Sequence, residues 1–341
     1  MLLERGNVDP NRPDKYGEGP LGWAAIIGRE KVVKLLLERE DIDPNYPDNY
    51  DRAPLGNAAL QGHEGVVDLL LQQEIVDPNH PDVNDRTALS CAAIEGHERV
   101  VKLLLERENV DPNHSDKHGE GPLACAAICG HEAVVELLLG RDGVDPNQQA
   151  QNGLTPLGWG AAKGHEGVDR LLLGREDVDH NRPDNYDRTP LGCAALKGQE
   201  GVVKLLLEQN HVDPNRADVY NCTPLMWAAI QGHEGVVRLM LECENVEPNY
   251  LDNTDLTPLG WAATNGHEGV VKLLRQWEDV DPNDPEKHGG TPSSSAFREG
   301  LGVVQPLPAR KSLEAPTTRA RSGGRWDTRK SRMFMFNKKQ S

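Results

Sequence analysis

The chain has 341 residues, a net charge of −17, 37% hydrophobic residues and only 4% aromatics. So few large apolar side chains argue against the single large core of a compact enzyme, and 34 Gly with 24 Pro fall short of a collagen or low-complexity composition. No apolar run approaches the ~20 residues of a membrane span, and the first eleven residues lack the basic start and apolar stretch of a signal peptide.

Elements are expected in chain order as follows. Met1-Leu2-Leu3-Glu4-Arg5 aligns with Leu35-Leu36-Leu37-Glu38-Arg39, so residues 1–11 read as the end of a helix whose beginning is absent. From there Asp9-Pro10-Asn11 recurs every 34 residues, with Asp179-His180-Asn181 and Glu247-Pro248-Asn249 as variants, up to Asp281-Pro282-Asn283. A constant period means one unit stacked many times, each burying its apolar side on the next. Eight full units are expected over residues 12–283. Residues 284–308 start a further copy at Thr291-Pro292 and then lose the pattern, with Pro306 and Pro308 where a second helix belongs. Residues 309–341 hold ten Lys/Arg against two acids, a net of +8, and read as a disordered basic tail. The remainder of the chain is then −25, which repels nucleic-acid phosphates. Nucleic acid, anionic lipid or an import receptor is therefore a candidate partner for the tail alone.

One unit, residues 151–184, predicts two helices. Thr155-Pro156 opens the first, the Thr hydroxyl accepting from an early free N–H. Leu157, Trp159, Ala161 and Ala162 follow, and Gly164 ends it. The second begins at His165-Glu166 and presents Val168, Leu171, Leu172 and Leu173 on one side. The pairs Ala24-Ala25, Ala58-Ala59, Ala92-Ala93 and their equivalents let helices approach closely; in the fifth unit the pair is read as Ala161-Ala162, one residue late. Gly17, Asp51, Asp85, Gly119, Gly153, Asp187, Asn221, Asp255 and Gly289 share one register, and only these residue types tolerate positive φ. Asp14, Asp48, Asp82, Asp116, Asp184, Asp218 and Asp252, three residues earlier, are placed to cap that turn.

With Thr155-Pro156-Leu157, Gly164-His165, Leu171-Leu172 and Asn181 repeated through eight copies, residues 1–292 resemble an ankyrin-repeat protein. The resemblance implies an all-α solenoid with a β-turn finger and two antiparallel helices per repeat. It also implies protein binding through fingertips and first helices on a concave side. The His usual after Thr-Pro-Leu is here Gly22, Gly56, Ser90, Ala124, Gly158, Gly192, Met226 or Gly260, which weakens these first helices locally. Gly-His-Glu-Gly-Val-Val segments are similar to long fungal arrays, often the recognition end of NTPase-containing sensors. That similarity implies an alternative in which the chain is the sensing part of a larger protein. No Gly-x-x-x-x-Gly-Lys-Ser/Thr loop is present.

Three rows invite chemical readings and receive structural ones. His63, His97, His131, His165, His233 and His267 recur one repeat apart, roughly ~10 Å, too far to share a zinc ion. The Glu row from Glu30 to Glu268 suits helix N-termini. Cys91, Cys125 and Cys193 are expected in one buried row with Trp23, Trp159, Trp227 and Trp261, without an activating base. With Cys129, Cys222 and Cys243 they form no Cys-x-x-Cys pair and are read as reduced thiols of a cytoplasmic or nuclear protein. Catalytic residues, metal and cofactor are accordingly not expected, and the protein is read as a monomeric scaffold or adaptor.

The fingertips are different: Tyr16, Tyr50, Asn84, His118, Asn152, Tyr186, Tyr220, Thr254 and His288 vary on a constant frame. Nothing in packing calls for Tyr at exposed tips, and Tyr contributes large binding area at low entropy cost. The candidate protein-binding set is therefore Lys15, Tyr16, Asn49, Tyr50, Arg52, Asn84, Arg86, Lys117, His118, Asn152, Asn185, Tyr186, Arg188, Tyr220 and Asn253.

Overall fold

The computed structural model describes residues 9–280. Among them are sixteen helices and no strand. The helices pair as α1 (Pro20–Ile26) with α2 (Glu30–Leu37), α3 (Pro54–Leu60) with α4 (Glu64–Leu71), α5 (Ala88–Glu95) with α6 (Glu98–Leu105), and α7 (Pro122–Cys129) with α8 (Glu132–Leu139). They continue as α9 (Pro156–Lys163) with α10 (Glu166–Leu173), α11 (Pro190–Lys197) with α12 (Glu200–Leu207), α13 (Pro224–Gln231) with α14 (Glu234–Leu241), and α15 (Pro258–Thr264) with α16 (Glu268–Gln276). First helices stack on first helices and second on second, giving two helical layers. The readings placed on residues 1–8 and 281–341, including the degenerate copy and the basic tail, lie outside the described residues. Among the described residues no helix is long and apolar enough to cross a membrane.

Helices of seven to nine residues are too short to persist alone in water, so packing must hold them. The core supplies this in repeating layers. Leu21, Leu55, Leu89 and their successors in each first helix are buried, as are Val33, Val67, Val101 and Leu36, Leu70, Leu104 in the second helices. The small pair keeps its register throughout. In the fifth repeat Gly160 and Ala161 are the buried pair and Ala162 is half-buried, which corrects the expected shift to Ala161-Ala162. The helix absorbs a smaller residue instead of rotating.

Thr87, Thr155, Thr189, Thr223 and Thr257 each accept a bond from the backbone N–H three residues on, at 3.1–3.4 Å. Gly19, Ala53 and Gly121 offer no side-chain cap to α1, α3 and α7. A missing cap costs about 1 kcal/mol, and three of the first four repeats lack one. Amide hydrogen exchange is therefore expected to be faster in α1, α3 and α7 than in the capped first helices α11, α13 and α15. The reverse order would show that end capping does not govern opening.

The Asp-Pro-Asn repeat has a mechanical reason. Each Asn, from Asn11 to Asn249, donates its Nδ2 to a carbonyl thirty residues on, at 2.6–2.8 Å. From Asn11 to Asn215, the Oδ1 accepts the backbone N–H thirty-two residues on, at 2.7–3.3 Å. One carboxamide thus satisfies a donor and an acceptor in the next loop, a pairing that only Asn makes at this length. The histidines that start second helices serve the same end. Their Nε2 donates to a carbonyl in the preceding repeat's first helix at 2.8–3.2 Å.

Candidate functional site

Between repeats the chain forms a finger. Asp51, Asp85, Asp187, Asn221 and Asp255 take φ of 54–61° at its turn, and Gly17, Gly119 and Gly153 take 78–82°. The Oδ1 of Asp14, Asp48, Asp82, Asp116, Asp184, Asp218 and Asp252 accepts N–H bonds from residues two and four further on, at 2.7–3.1 Å. Successive fingers are then tied to each other through the tips. The carbonyls of Tyr16, Tyr50, Asn84, His118, Asn152, Tyr186 and Tyr220 accept the N–H of Asn49, Val83, Lys117, Gln151, Asn185, Val219 and Asn253 at 2.8–3.2 Å. The varying side chains are thus mounted on a continuous hydrogen-bonded edge.

The candidate residues fall into two groups on this edge. Tyr16, Tyr50, Tyr186 and Tyr220 are 48–58% exposed, and Lys15, Asn49, Asn84, Lys117, His118, Asn152, Asn185 and Asn253 are also exposed. Arg52, Arg86 and Arg188 are half-buried and engaged internally. Arg52 lies 3.9 Å from Asp82, Arg86 lies 3.5 Å from Asp116, and Arg188 holds its own finger's Asp184 through Nε and Nη2 at 2.9 and 2.6 Å. The Tyr rings are steadied by cations: Lys15 over Tyr16 at 4.7 Å, Arg52 over Tyr50 at 5.2 Å and Arg188 over Tyr186 at 4.9 Å. The Tyr residues occur in two adjacent-repeat pairs, in repeats one and two and in repeats six and seven.

The first helices add a second row to the same face, which sequence reasoning misplaced. Cys91, Cys125 and Cys193 are buried, and burial pushes the Cys91 and Cys193 thiols up to about 12, away from a reactive thiolate. The indoles of the same register are not buried: Trp23 is 39% exposed and Trp159, Trp227 and Trp261 are half-exposed. A Cys fits beneath the fingers, whereas an indole must project past them. Trp23, Trp227 and Trp261 donate Nε1–H to the Oδ2 of Asp14, Asp218 and Asp252 at 2.9–3.1 Å. Asn57 fills the row in repeat two, its Nδ2 3.4 Å from Asp48 Oδ2 and from Glu18 Oε2. Burial and the nearby Asp48 and Asp14 carboxylates push Glu18 up to about 7.

Repeat five breaks the scheme twice. Ala150 stands where the other repeats have the capping Asp, and Trp159 Nε1 has no partner among the described residues. In α10, Asp169 replaces the buried Val of every other second helix. It is fully buried and neither carboxyl oxygen is hydrogen-bonded. The Asp–Trp spacing of nine residues was readable in the sequence, and with it both the indole row and the gap at Ala150.

A family model of ankyrin repeats matches residues 1–82, 73–150, 135–218 and 210–286. Comparison with curated proteins finds no match. The finger, paired helices and 34-residue stacking agree with the matched segments over most of the chain, which places this protein in the ankyrin-repeat family.

Proposed function

We propose that this chain is a non-catalytic scaffold that binds a partner protein through its fingertips and first helices. Ankyrin repeats are in general protein–protein interaction modules. The observation that carries the reading is the contrast along the fingers. The caps, turns and inter-finger bonds repeat in nearly every copy, while the exposed tip side chains change and include four Tyr. Rigid presentation lowers the ordering cost of binding, and cation-stacked Tyr rings present preformed contact area. The binding set is that of the sequence reading, with the Tyr and exposed polar residues as contacts and Arg52, Arg86 and Arg188 supporting them.

The test compares pull-downs by the full chain and by a variant with Tyr16, Tyr50, Tyr186 and Tyr220 changed to Ala. Partners held by the wild type are expected to be lost or weakened at least tenfold in the variant, since four hot-spot truncations at ~1 kcal/mol or more each exceed one decade in Kd. Equal capture by both proteins would overturn the fingertip reading.

A further inference from the structure

The face built from fingers and first helices changes character along the stack. In repeats two to four its arginines are paired between fingers, Arg52 with Asp82 and Arg86 with Asp116, while Lys15 and Lys117 stand exposed beside the tips. In repeat six Arg188 holds its own finger's Asp184, but finger five has no such pair. Finger five, residues 148–154, contains no charged residue, and Ala150 removes the carboxylate that caps the turn elsewhere. Lys163 and Lys197 end α9 and α11 as exposed cations. Lys163 Nζ lies 5.9 Å from the Trp159 ring, which places it beside the indole row. Lys197 follows Cys193 by four residues in α11, as Lys163 follows Trp159 in α9, so it lies on the same side of its helix. Lys197 has no ion-pair partner among the described residues.

Repeats seven and eight are apolar on the same face. Cys222, Met226 and Ile230 form a small buried cluster separate from the main core, with Trp227 and Trp261 packed against it. Both indole N–H groups are already bonded, at 2.9 Å, to Asp218 and Asp252. The ring faces are therefore held in place without demanding a polar partner. Val219 and Tyr220 of the same finger as Asp218 are 45% and 48% exposed. Such fixed, half-exposed aromatic surfaces are what a hot spot requires.

We propose that repeats five to eight form a bipartite seat for an extended partner segment, with carboxylates over Lys163 and Lys197 and apolar side chains over Trp227 and Trp261. A repeat advances roughly 10 Å and an extended chain about 3.3 Å per residue. The acidic and apolar anchors of the segment are then about three to nine residues apart. Charge complementarity selects the acidic end: among the described residues neither lysine is held in an ion pair, on a protein whose net charge is −17. The proposal rests on the finger face being a partner surface, and it names the repeats and the chemistry.

The test is selection of random peptides displayed on phage against the full chain. Enriched sequences are expected to pair Asp or Glu with Phe, Leu, Met or Trp at that separation. Peptides synthesised from the enriched sequences should bind at least tenfold more weakly to Lys163→Ala/Lys197→Ala. Their salt dependence should also fall in that variant, because the lost contacts are exposed ion pairs. Trp227→Asn/Trp261→Asn should lose at least tenfold as well. Asn57 shows that this row accepts Asn with its amide near the Asp carboxylate, so the fold survives the change. Enriched peptides indifferent to both variants but lost on the four-Tyr variant would overturn the bipartite seat and leave the fingertip reading standing. Peptides indifferent to all three variants would overturn both, and no enrichment would overturn the bipartite seat.

Discussion

Replacing Asp169 by Val is expected to stabilise the protein by several kcal/mol at pH 8 and above, and by less at pH 5. Asp169 lies fully buried in α10 with both oxygens unpaired. Burial, with the Glu166 carboxylate adding repulsion, pushes it up to about 8 from an ordinary 3.8. Between these values the unfolded chain has released the proton while the folded chain keeps it. Stability contributed by the neutral form is therefore fully present below pH ~4 and falls as pH rises toward 8. The span corresponds to roughly 5–6 kcal/mol, comparable to the whole stability of many domains. Val removes this slope and restores the side chain of Val135 and Val203, both fully buried in the neighbouring repeats. Urea unfolding of wild type and variant at several pH values measures the difference. Amide exchange in α9 and α10 shows where it acts, since a repeat array opens locally before it opens as a whole. A wild-type midpoint that does not fall from pH 5 to pH 8 would sink the account.

The array itself was legible because its determinants are local and repeated nearly every 34 residues. Asp-Pro-Asn marks the loop ladder, Thr-Pro marks the first-helix start, and the Gly/Asp/Asn row marks the turn. Each residue type is demanded by one bond or one dihedral angle. What stayed hidden was whatever one repeat does differently from the others. The Trp/Cys register was read as a single buried row because periodicity gives a residue's direction but not how far its side chain reaches. A thiol ends beneath the finger and an indole projects beyond it. Asp169 leaves no mark on the pattern because Val168, Leu171, Leu172 and Leu173 satisfy the helical period without it. The run of Gly160, Ala161 and Ala162 allows the pair either register, and Gly160 takes the first place because it faces Asp169. Pattern matching tolerates one deviant position, and packing does not. The fingertip residues were identified as exposed from their variation alone, but the internal engagement of Arg52, Arg86 and Arg188 depends on contacts between fingers that sequence order does not give.

That pairing of Gly160 with Asp169 yields the second large effect, and its sign depends on the background. A Cβ at Gly160 would stand inside van der Waals distance of the Asp169 carboxyl and close to Val168. Gly160→Ala in the wild-type chain is expected to cost about 2 kcal/mol, the scale of overpacking a filled core. In Asp169→Val the same change is expected to stabilise by up to ~1 kcal/mol, because Ala is the better helix former. The native protein already shows that combination to fit: Ala126 with Val135 and Ala194 with Val203 are fully buried without exception. The two changes should thus be non-additive by about 3 kcal/mol in a double-mutant cycle, as for residues in direct contact. Steric and electrostatic causes separate in Asp169→Asn, which keeps the size of the side chain and abolishes its charge. There Gly160→Ala should still destabilise, while the fall in stability between pH 5 and pH 8 should disappear. If Gly160→Ala costs the same in all three backgrounds, the glycine answers to something other than Asp169. If it costs nothing in any, α9 and α10 separate more readily than the interface geometry allows, and the fifth repeat is looser than its neighbours for a backbone reason, not a side-chain one.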